Sequence, residues 1–239
     1  MTDRGTVTYT PSVHFSPIHR QRVRETIESV EPDIVAVELG EDRYGRLRGA
    51  TETAPRTPLG QLLGAIQASV LRLYGLDPEE TDMETAIDTA ATHELEVALI
   101  DEPISETTAG IAESVGVRTL VRLLERAGEV GPESAEPGLA TITNFEEVRS
   151  GDDVQPAVDQ LRTLLPEVAE VLLDRRDIAM ARRIDAIVRA GHDVVVVIGA
   201  AHHNGIMAAL ERFEEKAPDG EISVPLRRPR PQMVDIPVS

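Results

Sequence analysis

The sequence predicts an α/β fold, a central and mostly parallel sheet flanked by helices, with an α+β arrangement as the alternative. Three observations predict it. Ile34-Val35-Ala36-Val37 and Val194-Val195-Val196-Val197-Ile198 are near-continuous runs rich in β-branched residues, as strands covered on both faces of a parallel sheet are. Segments of helical period stand between the apolar runs. The predicted strands end in polar residues (His14, Glu38 and, past a Gly-Ala-Ala turn, His202), and ligands bind at the carboxyl ends of strands in open α/β sheets.

The elements follow in order. Thr6 to His14 alternates loosely and reads as a first strand, with Pro11 near its end. Pro17 to Glu31 places Ile18, Val23, Ile27 and Val30 at helical spacing, with Ser16 as N-cap and Pro17 at the first helical position. Pro32-Asp33 closes that helix and opens the strand Ile34 to Leu39. The length of this β-α-β unit predicts two parallel strands joined by a right-handed crossover. Glu41 to Arg48 continues as a short polar helix.

Gly49 to Thr57 has linker composition. Pro58 to Tyr74 is amphipathic, with Leu59, Leu62, Leu63, Ile66, Val70, Leu71 and Leu73 offering a core face or a dimer face. A further helix, Glu79 to His93, turns Met83, Ile87 and Ala90 inward. Val97 to Ile100 is a short buried strand ended by Asp101-Glu102-Pro103. Helices are expected over Ile104 to Val115 and Val117 to Ala127, and Gly128 to Thr143 reads as a flexible excursion. Val154 to Ala190 is largely helical, with a second helix starting at Pro166 and carrying Asp174-Arg175-Arg176-Asp177. The strand Val194 to Ile198 precedes a helix expected from Gly205 to Lys216. The chain then reads as one domain over residues 1–224, with a helical insertion at about 58–190 and an extended proline-rich tail over 225–239.

Composition narrows the function. Hydrophobic residues make up 41% and aromatic residues 3% of 239 residues, so a sizeable core must be built from Val, Leu, Ile and Ala. There is no cysteine, which excludes disulfides and thiolate ligands and leaves His, Asp and Glu for any metal. The formal charge of −18 argues against a nucleic-acid partner. Lys216 is the only lysine among the 24 Lys and Arg residues, a bias that fits a halophilic protein. At ~1 M salt the Debye length falls to roughly 3 Å, which screens such an acidic surface. No apolar run approaches the ~20 residues a membrane span needs, and the first residues lack a signal-peptide pattern. The expectation is a cytoplasmic protein with no membrane partner.

Three side chains carry the chemistry. His14 and His202 stand at strand ends, where a neutral imidazole can bind a metal. Glu38 emerges from an apolar strand, where an unpaired carboxylate would be costly. Arg43, just beyond the strand, is the expected partner. In function Glu38 would be a ligand or a general base. His203 competes with its neighbour, while His19, His93 and His192 read as helix-surface or loop residues without a role. By itself, Asp174-Arg175-Arg176-Asp177 reads as a solvated helix face.

A set of segments adds to this. They are Ser12-Val13-His14-Phe15-Ser16, Arg22 to Arg43 with Pro32-Asp33-Ile34-Val35-Ala36-Val37-Glu38-Leu39, and Met83-Glu84-Thr85-Ala86-Ile87. Leu99-Ile100-Asp101, Leu173 to Asp177 with Met180-Ala181, and Val197-Ile198-Gly199-Ala200-Ala201-His202 complete it. In their order and separation the chain resembles the TraB family of the TIKI, TraB and GumN superfamily, from about Thr6 to Leu210. The resemblance implies a strand-end site built from two Gly-x-x-His motifs, an acid and a base. His14 and His202 would be the motif histidines and metal ligands, Glu38 the acid, and Arg43 or Arg176 the basic partner. Asp177 would orient that arginine or hold the helix near the site.

Members of the superfamily are described as metal-dependent proteases, and bacterial TraB relatives are linked to pheromone shutdown. The resemblance therefore implies a metal-dependent hydrolase of peptides or another small substrate, and two histidines with a glutamate and no cysteine suit Mn, Co or Zn. A non-catalytic ligand-binding protein of the same fold is the alternative. Two departures stand out. The first motif reads Pro11-Ser12-Val13-His14, with proline in place of glycine, and the hydrophobic C-terminal membrane region of many archaeal relatives is replaced by a proline-rich tail.

Overall fold

A computed structural model describes residues 4–14, 16–49, 81–103, 145–164, 166–216, 218, 220 and 222–231. The expected helices at 58–74 and 104–127, the linker at 50–57 and the excursion at 128–143 lie outside the described residues.

The sheet has five strands in the order β1-β4-β2-β3-β5. These are β1 (Val7–Ser12), β2 (Ile34–Val37), β3 (Glu96–Leu99), β4 (Val194–Gly199) and β5 (Leu226–Arg227). The first four run parallel: β1 pairs with β4, β4 with β2, and β2 with β3. β5 adds an antiparallel edge on β3, so the start of the proline-rich tail is part of the sheet. The fold is α/β, as the apolar runs imply.

The helices are α1 (Pro17–Val30), α2 (Glu41–Leu47), α3 (Asp82–Thr92), α4 (Gln155–Leu164), α5 (Pro166–Ala169), α6 (Arg175–Arg189) and α7 (Ala200–Glu215). Alternation along the strands feeds two apolar layers. Val35, Val37, Val97, Leu99, Val195 and Val197 pack against Val23 and Ile27 of α1 and Met83, Ala86 and Ile87 of α3. Ile34, Ala36, Ala98, Val194, Val196 and Ile198 pack against Met180, Ile184 and Ile187 of α6 and Ile206 and Ala209 of α7. Strands covered on both faces need no polar side, which is why the sequence reads as apolar runs rather than alternation.

Three features differ from the sequence reading. Helix α7 starts at Ala200, not near Gly205, so His202 lies in its first turn rather than in a connecting turn. The helical stretch before β4 contains a π-helical segment, Glu170–Asp174, between α5 and α6. His19 is fully buried rather than on a helix surface, and its Nδ1 accepts the Val13 backbone N–H at 2.6 Å. Pro11 lies in β1 opposite Ile198. Because β1 is the edge strand, a residue without an N–H is tolerated there.

The topology locates a site. The neighbouring strands β1 and β4 lead into helices on opposite faces of the sheet, α1 on one and α7 on the other. That divergence opens a crevice at their carboxyl ends, the position of ligand sites in doubly wound sheets. Among the described residues, no helix is long and apolar enough to cross a membrane.

Candidate functional site

Glu38, directly after β2, is 4% exposed. A carboxylate so placed needs compensation, and the strand tips supply it. The Gly199 N–H, a helix N-terminal donor that has no partner within the helix, donates to Oε2 at 2.7 Å. Arg176 Nη2 donates to Oε1 at 2.5 Å. His202 Nε2 lies 3.2 Å from Oε1, and His14 Nε2 faces Oε2 across 3.7 Å. Burial opposes the charge on Glu38, but His202, His14 and Arg176 together hold its carboxyl well below the ordinary range.

Each imidazole is backed by a second carboxylate. His14 Nδ1 lies 3.0 Å from Asp82 Oδ1, and His202 Nδ1 lies 2.6 Å from Asp177 Oδ1. Asp82 is placed by the start of α3. Thr81 and Glu84 form a reciprocal capping box there, the Asp82 N–H donates to the His14 carbonyl at 2.9 Å, and Ser12 Oγ donates to the Asp82 carboxylate. Asp177 lies in the first turn of α6 and packs against Gly205, where any Cβ would collide with its carboxylate. The two pairs differ in access, since the His14 side chain is 30% exposed and that of His202 6%.

The same contacts set protonation. Burial opposes charging His202, but Glu38 and the hydrogen bond to Asp177 outweigh it and push its pKa up to about 9. Glu38 Oε1 and Arg176 Nη1, 3.2 Å and 3.1 Å from His202 Nε2, make opposite demands on that nitrogen. The raised pKa shows that the carboxylate's attraction is the larger. His14 is also raised, because Asp82 and then Glu38 overcome burial. Asp177 is raised by burial, against the pull of His202.

Arg176 is the hub of the cluster. Its Nε and Nη2 grip the two oxygens of Asp101 at 3.0 and 2.8 Å, and Nη1 donates to the Leu172 carbonyl at 3.1 Å, inside the π-helical segment. With Glu38, four of the five N–H groups of the guanidinium have acceptors, and Nη1 also lies 3.1 Å from His202 Nε2. Glu38 and Asp101 raise the pKa of Arg176 above its ordinary value despite burial. Two expectations are corrected. Glu38 is neutralised by Arg176 rather than Arg43, and the Arg176-Asp177 step is buried in the site instead of forming a solvated face. Arg43 instead reaches Asp101, Nη1 to Oδ2 at 3.8 Å, and is 38% exposed.

The family model of the TraB/PrgY/gumN family matches residues 63–217. The chain belongs to the TraB/PrgY/gumN family. It is similar to an uncharacterized protein of Methanocaldococcus jannaschii, 24% identical over 217 residues. That match covers 85% of this chain and 53% of the relative, so the chain spans about half the length of the curated relative it matches.

In this TraB-family chain, His14, Glu38, Arg176, Asp177 and His202 meet in one cluster at adjacent strand tips, with Arg43 at its edge. A divalent ion on His14 and His202 finds part of a suitable setting. Each Nδ1 is held by a carboxylate, as it is in many metal-binding histidines, and both Nε2 atoms face Glu38. The guanidinium of Arg176, however, already occupies Glu38 Oε1 and approaches His202 Nε2. Among the described residues, no three His, Asp or Glu side chains converge as a metal's ligand set. As arranged, these donors do not fit the ion.

Sequence reasoning missed Asp82 and Asp101, although both are buried. Asp82 directly follows the Thr81 of a legible Thr-x-x-Glu capping box, a signal that announces a helix start but not a buried acid. Asp101 closes β3 as Glu38 closes β2, so the rule that singled out Glu38 applies to it equally.

Proposed function

We propose that the chain is a hydrolase of peptide or similar acyl bonds, acting at the carboxyl ends of β1, β4 and β2. The observation that carries this reading is the Asp82–His14 pair. Its imidazole is partly open to solvent, and its Nε2 faces Glu38 across a gap that Gly199 leaves clear. A Cβ on Gly199 would stand 2.8 Å from His14 Nε2 and 3.2 Å from Glu38 Oε2.

Asp82 orients the ring by accepting its Nδ1–H, which leaves Nε2 as the basic nitrogen. A water that bridges His14 Nε2 and Glu38 from the open side gives its proton to His14 Nε2 while its oxygen bonds to the scissile carbonyl carbon, Glu38 accepting the water's other hydrogen. The carbonyl electrons move onto oxygen, where Arg43 is the cation with N–H groups to offer. Arg176 is fixed by Glu38, Asp101 and the Leu172 carbonyl, and it acts by holding the two carboxylates. Collapse of the adduct expels the amine, which recovers the proton from His14.

A metal-dependent peptidase is the second reading, and the two imidazoles held at Nδ1 by carboxylates favour it. Glu38, Asp82, Asp101 and Asp177 stand against Arg43 and Arg176. The protons that the raised His202 and His14 retain offset the excess of carboxylates, and a divalent cation would have to take their place. This reading needs Arg176 to release Glu38. A non-catalytic pocket of the same fold is the remaining outcome.

The test is cleavage of a peptide library by the full chain in high salt, read by mass spectrometry, with His14→Gln and Asp82→Asn beside it. The proposal expects cleavage that survives excess chelator and falls at least about 100-fold in His14→Gln. Cleavage abolished by chelator and restored by Mn, Co or Zn establishes the second reading. Undiminished cleavage by His14→Gln overturns the first, and no cleavage of any peptide assigns the pocket to binding.

A further inference from the structure

Arg22 stands on α1, away from the Arg176 hub. Its Nη1 donates to the Val148 carbonyl at 2.7 Å. Its Nε and Nη2, the two nitrogens that form the side-on fork of a guanidinium, are buried and have no hydrogen-bond partner among the described residues. Arg176 shows what that edge takes when filled, because its Nε and Nη2 grip both oxygens of Asp101. Bidentate pairing with a carboxylate or phosphate is the characteristic use of the fork.

The missing acceptor is notable in this chain. It carries 42 Asp and Glu against 24 Lys and Arg, and an unmet buried donor is costly, the more so when charged. The charged group that acts on Arg22 is another cation, Arg149. Burial first, and then the charge of Arg149, lower the pKa of Arg22. Neither guanidinium forms an ion pair among the described residues.

Val148 fixes the place. It packs with Val13, Val154 and Ala200, and Val13 precedes His14 while Ala200 follows Gly199. The carbonyl that anchors Arg22 therefore belongs to the segment lying over the tips of β1 and β4.

We propose that the Nε–Nη2 fork of Arg22, assisted by the charge of Arg149, is an oxyanion subsite beside the strand-tip site. Its ligand is a carboxylate or phosphate group. The carboxylate source is the C-terminus of a bound peptide, an assignment that rests on the hydrolase reading, whereas the anion subsite itself does not.

Calorimetric titration of the full chain at fixed salt tests it, with inorganic phosphate, trialanine and trialanine amide as probes. Phosphate and trialanine are expected to bind, and the amide at least about 10-fold more weakly. Arg22→Gln should weaken phosphate and trialanine at least 10-fold. Arg22→Lys, which keeps the charge but not the fork, should recover little of the loss, and the exposed Arg149→Gln should weaken both 2- to 3-fold. Circular dichroism of each variant checks its fold, and Arg149→Gln alone carries the test if the Arg22 variants do not fold.

Phosphate binding without trialanine binding overturns the peptide source and leaves the fork to a free anion. Equal affinity for trialanine and its amide does the same. Failure of both probes, or unchanged binding in folded Arg22→Gln, overturns the subsite. The readout is binding, so a chain that cleaves no peptide can still pass it.

Discussion

The site contains the same unit twice, an imidazole with its Nδ1 on a buried carboxylate and its Nε2 toward Glu38. His14 with Asp82 joins β1 to α3, and His202 with Asp177 joins α7 to α6. The two differ in their surroundings. His202 is almost fully covered and has Arg176 beside it, whereas nearly a third of the His14 side chain meets solvent. A charge locked among partners fastens elements together. A comparable group with one open side can exchange a proton with something that arrives from outside. The pair at His202 is accordingly a brace, and the pair at His14 is the working group of the proposed hydrolase.

The largest effect should come from the residue that holds the braced half. Arg176→Met leaves Glu38 and Asp101 buried without their cation, and breaking a buried pair from one side costs about 3–5 kcal/mol. Chemical unfolding at constant salt should show a loss of that size, and a loss below about 1 kcal/mol would remove Arg176 from the centre of the account. Next comes the comparison itself. His202→Gln should destabilise by about 2–3 kcal/mol, the range for stranding buried polar partners. His14→Gln should cost less than about 1 kcal/mol in the same measurement. Equal losses would erase the distinction between the pairs.

A pH series sharpens the contrast. His202 is raised to about 9 against an ordinary 6.5, so its contribution to stability is complete below pH 6.5 and disappears as pH rises through 9. The wild-type Tm should fall by several degrees between pH 7 and 10, and His202→Gln should flatten that fall. Glu38, depressed by its cationic neighbours, works in the opposite sense. Its contribution is present above the ordinary carboxylate range and is lost as pH drops toward its lowered pKa. The smallest effect on stability belongs to Gly199→Ala. Its added carbon enters the gap between His14 and Glu38, so thermal melts should show about 1 kcal/mol or less, while any hydrolysis falls at least 10-fold. A larger loss of stability with hydrolysis intact would show that the gap is not a working space.

The brace was the harder half to read in the sequence. Strands β2 and β4 are legible because both faces are covered, and their apolar runs need no tertiary information. His14, Glu38 and His202 follow from those runs as the polar residues at their ends. Asp82 does not, and Asp101, although it ends β3 in the same way, has a role that depends on how distant elements meet. Asp82 lies 68 residues beyond His14 in the chain, and Asp101 matters through Arg176, 75 residues further on. The residues alone point to Arg43 as the partner of Glu38, and the resemblance leaves Arg43 or Arg176 open, for the same reason. Sequence proximity favoured the nearer arginine, but α6 brings the distant one onto Glu38. The start of α7 was placed late because Gly199 reads as a turn, although it is the helix N-cap whose N–H the carboxylate takes.

The difference in access between the two histidines can be measured without a substrate. Brief treatment of the folded chain with diethyl pyrocarbonate near pH 8 and again at about pH 9.5, where His202 too is largely neutral, followed by peptide mass mapping, reports which imidazoles an external reagent reaches. The account predicts modification of His14 together with the exposed His93 and His192, and protection of His202 and the buried His19. Modification of His202 as rapid as that of His14 would contradict it.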